Sequence, residues 1–295
     1  MILLSMDLKK LGKPGVLLGV LGTSSAMIFI RVTESPALTV LFYRLLFTLA
    51  IISVPIVIDS CRGKLNIINE FKGNYKNFLL LSLLITVAMT TWIFAVRNTS
   101  IASAVILSNT HPIIILFVSV VFLKIKFHRN AIIGVFITMF GCAAMSANDY
   151  LSGGNHIVGD ILAVTTATFF GLYILAASRT RKKYRIDVYL FITFALALIY
   201  TTILAICFRE PLLPASSGEL FILFCMALFS SVLGRCLVDW GLRYVSPQFA
   251  SLAFLTENLY AIVLGMIFVS EFPSAGQLIC GAVLIFGLVI YNKYE

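Results

Sequence analysis

Five ionisable side chains stand inside long apolar runs of this chain: Arg44, His111, Arg235, Asp239 and Glu257. Inserting such a group into a bilayer costs roughly 2.5–3.5 kcal/mol, which makes these positions the first candidates for chemistry. His111 and Glu257 are the sharpest pair. Carboxyl and imidazole groups held away from water can exchange protons near neutrality, so the pair suits amine binding or proton coupling. A hydrogen bond between helices is the structural alternative. Arg235 and Asp239 are four residues apart and share a helix face. They make either an intrahelical ion pair that eases insertion, or a cytoplasmic gate or carboxylate site. Arg44 can hold a carboxylate bidentately or snorkel toward a surface. Trp92, Tyr173 and Tyr260 offer cavity walls as well as ordinary packing, and Asn258 adds an amide beside Glu257.

The elements that must position these groups are apolar helices. The chain has 295 residues, 60% hydrophobic and 12% charged, with mean hydropathy +1.02. Charged residues make up about a quarter of an ordinary globular chain, so lipid rather than water is the solvent these numbers fit. Apolar runs cover about 14–31, 37–58, 76–97, 101–123, 130–147, 157–178, 188–208, 219–242, 248–269 and 275–291. A helical crossing takes roughly 20 residues, and the runs lack the short alternation of a β-barrel. The expected fold is all-α and integral to the membrane, with ten transmembrane helices. The stretch after Lys9, Lys10 and Lys13 leads into further runs and reads as a first span, not a cleaved signal. Gly15, Gly19, Gly22 and Ala26 give that span a face of small residues for close helix contact.

Ten spans sort the basic residues. Seventeen of the 22 lysines and arginines fall on the side of the termini. Arg31, Arg97 and Arg209 fall on the other. The positive-inside rule then places both termini in the cytoplasm and the protein in the cytoplasmic membrane.

Residues 97–141 align without a gap onto 243–287, an offset of 146 that pairs Arg97 with Arg243, Ser100 with Ser246 and Gly141 with Gly287. The same offset pairs His111 with Glu257. Each stands about eight residues into its run, roughly 12 Å deep. A five-helix unit starts and ends on opposite sides, so its duplicate is inverted, the build of many secondary transporters. The units are 1–147 and 155–295, with a linker over 148–154.

The residues also resemble the EamA-type branch of the drug/metabolite transporter superfamily. The resemblance rests on Gly22-Thr23-Ser24-Ser25, on Ser35-Pro36 followed by Arg44, and on Pro112. It continues through Gly159-Asp160-Ile161-Leu162-Ala163 and Ala167 to Tyr173, then Glu271, then Gly281 to Gly287. Lys124-Ile125-Lys126 departs from it, as does Asn258 opposite Pro112. The resemblance implies a carrier for small metabolites, often amino acids moved outward.

Other chemistry lacks its signature. The sequence has no phosphate-binding loop, no dinucleotide fingerprint and no His-Glu-x-x-His or Gly-x-Ser-x-Gly motif. His111, His128 and His156 are far apart, so neither metal nor other cofactor is expected. The six cysteines form no Cys-x-x-Cys pair and read as small buried hydrophobes. The expectation is a non-enzyme that moves a small molecule, with a proton as candidate co-substrate and lipids around it. It binds no nucleic acid and works as a monomer or homodimer. The alternatives are uptake or exchange of nucleosides or cofactors, or an integral-membrane transferase.

Overall fold

The computed structural model describes residues 2–63, 65–121, 124, 128–130, 132–134, 136–137, 140–141, 144, 156–214, 216–241, 244, 257, 260, 263–268, 270 and 272–294. Among them every regular element is a helix. In chain order these are α1 (Ile2–Ser24), α2 (Ala26–Val32), α3 (Ala37–Cys61), α4 (Ile67–Lys72), α5 (Tyr75–Asn98), α6 (Ile101–Ser108) and α7 (His111–Val121). Then come α8 (Ile157–Lys183), α9 (Ile186–Phe208) and α10 (Ser217–Met226), a π-helical segment (Ala227–Cys236), α11 (Leu237–Gly241) and α12 (Ala275–Tyr294).

Six segments among the described residues are long and apolar enough to cross a membrane: Leu11–Val32, Ala37–Cys61, Tyr75–Asn98, Ile157–Ala177, Ile186–Phe208 and Ser217–Gly241. They match six of the expected runs to within a turn. Half of the run expected over 130–147 and most of that over 248–269 lie outside the described residues. Large apolar side chains such as Ile206, Phe208 and Phe221 are exposed on their outer faces, as helices solvated by lipid require.

Two spans are broken where the sequence reads as continuous. In the first, the Ser25 hydroxyl and main-chain N–H both bond the Gly22 carbonyl, at 2.7 and 3.2 Å, and the helix restarts at Ala26. The run expected over 101–123 divides at Asn109 and Thr110. Pro112 has no N–H to give the Ser108 carbonyl, and the Thr110 hydroxyl instead bonds Leu107 at 2.7 Å.

The packing of the halves is reciprocal. The first span lies against the π-helical segment and α11, and α5 lies against α8. Thus the third span of each half packs on the first span of the other. The equivalent helices α3 and α9 pair with each other. They run antiparallel, because Asp59 meets Arg185 at one end while Leu38 N–H meets Glu210 at the other. Small residues close the first of these seams. A Cβ on Gly19 would stand 2.7 Å from Val238 Cγ2, and one on Gly234 would stand 2.6 Å from Thr23 N. Backbones therefore touch, as the glycine spacing predicts.

The repeat is written into the backbone as well. Among the described residues four have left-handed φ: Gly63 at 69°, Lys124 at 53°, Arg209 at 55° and Ser270 at 55°. They fall into two pairs, Gly63 with Arg209 and Lys124 with Ser270, each separated by the 146-residue offset of the sequence repeat.

Candidate functional site

A cavity of about 130 Å³ lies inside the bundle, and both halves line it. The first half contributes Thr23, Arg44, Trp92, Ser108 and Asn109, and the second contributes Thr166, Phe170, Ser231, Arg235 and Glu257, among others. Apolar walls with a few convergent polar groups are the usual make-up of a small-molecule site.

Arg44 projects from the first third of α3 and is 8% exposed. Its Nε donates to Ser231 Oγ at 2.8 Å. Ser231 and Arg235 both sit on the π-helical segment, whose wider turn aims them differently from an α-helix. Such segments recur at functional sites. Arg235 Nε donates to Asp239 Oδ2 at 3.0 Å, and its guanidinium stacks over Phe170 at 5.0 Å and Tyr173 at 5.6 Å. Ion pair and cation–π stack together fix its plane and offset its charge. Asp239 is fully buried.

Asn109 is presented by the break between α6 and α7. Its amide donates to Glu257 Oε2 at 3.5 Å, joining the halves across the cavity. Nearby, Thr91 and Thr166 hydroxyls meet at 2.8 Å between α5 and α8.

The structure thus brings Arg44, Trp92, Arg235 and Glu257 onto one cavity, with Asp239 directly behind Arg235. His111 is buried beside it, not among the lining residues. Its ring stands edge-on to Phe170 at 5.3 Å and reaches the Ser108 main chain, near the carbonyl that Pro112 leaves without a helical donor. Tyr173 is also one shell back, fully buried, and receives a 2.7 Å hydrogen bond from the Tyr189 hydroxyl. Tyr260 packs with Val16, Val20 and Val238 on the seam between the first span and α11. Asn258 lies outside the described residues. Asn109, Ser231 and Phe170 line the cavity without having been singled out from the sequence; the proline three residues beyond Asn109 is the one signal for it.

Polar contacts close the end of the bundle that carries residues 33–35. Glu219, at the start of α10, accepts hydrogen bonds from Thr33 Oγ1, from Ser35 Oγ at 2.8 Å and from the Glu34 and Ser35 N–H groups. Arg97 donates to the Ser35 carbonyl at 2.6 Å, and Thr99 donates to Asp160 at 2.8 Å. At the other end, outside the spans, Arg185 bridges Asp187 at 2.6 Å and Asp59 at 2.7 Å. Asp187 first, then Asp59, hold the guanidinium protonated beyond its ordinary range.

The sequence matches the model of the EamA-like transporter family twice, over residues 11–147 and 157–293. No curated protein matches the chain. One solved crystal structure, described only as that of a protein, is similar at 14% identity with TM-score 0.67, and the alignment covers 97% of each chain. At that identity the likeness concerns the fold alone.

Proposed function

Because the chain belongs to the EamA-like transporter family, we propose that it is a secondary active carrier moving small metabolites across the cytoplasmic membrane. Amino acids or related compounds are its first substrates in this reading, and export its favoured direction. Ten spans form two inverted five-helix halves, 1–147 and 155–295, which rock about a central site so that it opens to each side in turn. Both termini are cytoplasmic, in keeping with the sorting of the basic residues.

The observation that carries the reading is the cavity shared by the halves, with Arg44 and Trp92 from one and Arg235 and Glu257 from the other. A relative movement of the halves changes every contact across it, including Arg44–Ser231 and Asn109–Glu257. Glu257 takes the substrate amine or a coupled proton, while Asp239 holds Arg235 against Phe170.

Counterflow in proteoliposomes tests this. Vesicles preloaded with an unlabelled amino acid mixture should take up labelled amino acids in a saturable way, and faster than unloaded vesicles. Absence of stimulation by internal substrate for every compound tried would overturn the carrier reading, and chemical conversion of the label would point to an enzyme.

A further inference from the structure

Arg44 and Arg235 both line the cavity, but among the described residues only Arg235 has a counter-charge of its own. Arg235 has Asp239 at 3.0 Å. Among the described residues, the Arg44 side chain makes a hydrogen bond only through Nε, to the neutral hydroxyl of Ser231. Its two Nη nitrogens meet no acceptor among the described residues, and the residue, 8% exposed, borders the cavity. A guanidinium is charged under all ordinary conditions, and a buried charge without a partner is expensive. Its remaining edge is a two-donor fork that matches a carboxylate. We infer that the missing counter-charge is brought by the cargo: Arg44 is the anchor for an acidic group, and a carboxylate on the transported molecule binds its open Nη edge.

The charge count favours a carboxylate over a phosphate monoester. Once Arg235 is matched with Asp239, the cavity keeps Arg44 and, on its other wall, Glu257, which takes an amine or a proton; one carboxylate then balances Arg44, where a phosphate monoester brings about two negative charges. Trp92 and Phe170 offer apolar faces for the rest of the molecule. This inference rests on the carrier reading above and adds the group by which cargo is selected.

The experiment uses purified full-length protein and matched pairs differing only at the acid: leucine with leucinamide, phenylalanine with phenylalaninamide, threonine with threoninamide, and 4-methylpentanoate with its amide. Binding is read by calorimetry and thermal shift. At least one acid should bind about 10- to 100-fold more tightly than its amide, the range for a hydrogen bond to a charged group. Arg44→Gln should remove that ratio, and a circular dichroism spectrum and size-exclusion profile matching those of the unaltered protein report that the variant is folded. Arg44→Lys should restore part of the ratio. Equal binding of acids and amides, tighter binding of phosphate monoesters than of any acid, or an acid preference that survives Arg44→Gln would each overturn the inference. Failure of the carrier reading shows separately, as an acid that binds through Arg44 yet gives no counterflow.

Discussion

Arg44 and Ser231, 187 residues apart in the chain, meet at 2.8 Å, Nε to Oγ. The contact ties the second span of one half to the π-helical segment of the other and holds a buried guanidinium by a single hydroxyl.

Ser231→Ala removes that hydroxyl and leaves the charge. Loss of a hydrogen bond to a buried charged group should destabilise the protein by about 1.5–3 kcal/mol. The measurement is thermal unfolding in detergent, and an unchanged midpoint would refute the contact.

Arg235 is held both by Asp239 and by the aromatic faces of Phe170 and Tyr173. Asp239→Asn should lower transport at least tenfold, since removing one partner of a buried pair costs about 3–5 kcal/mol. Exchanging the charges, Arg235→Asp with Asp239→Arg, should not restore transport, because the guanidinium then lies a helical turn from its stack. Full activity of the exchanged protein would show that the stack is dispensable.

The glycine seam should be far less tolerant than a glycine in open space. Gly234→Ala drives a methyl to within 2.6 Å of the Thr23 main chain. It should cut the yield of folded protein several-fold, as size-exclusion profiles would report. Gly63→Ala meets nothing within 4 Å and should cost about 1 kcal/mol, from its left-handed backbone alone. Arg209→Gly at the equivalent position should stabilise by a similar amount.

Arg185→Gln breaks two ion pairs yet should shift stability by less than 1 kcal/mol, because the arginine side chain is 51% exposed and its pairs are screened by water. A larger loss in an unfolding titration would mean that this end of the bundle is held by more than packing.

The positions of the six spans seen among the described residues were legible because length and apolarity are one-dimensional properties. The 146-residue offset was legible for the same reason, and it reappears in the left-handed pairs. Azimuth was not legible. Arg44, Trp92, Arg235 and Glu257 face the cavity, while His111, Tyr173 and Tyr260 turn into the packing behind it. Nothing in an apolar sequence distinguishes those faces, because lipid and protein interior accept the same side chains. The π-helical segment over Ala227–Cys236 carries no strong composition signal, and it re-aims Ser231. The importance of Glu219 was hidden too. A glutamate at the start of a span looks like an interfacial charge until Thr33 and Ser35 are seen to surround it.

The reciprocal seams mean that neither half possesses a finished interior. The first span meets the Ser217–Gly241 segment backbone to backbone, and α8 lies against α5, so each half supplies the other's missing wall. The chain is built like an exchanged pair whose covalent link is incidental to its shape. Two polypeptides cut between 147 and 157 and made in the same cell should therefore reassemble, and either one made by itself should be degraded.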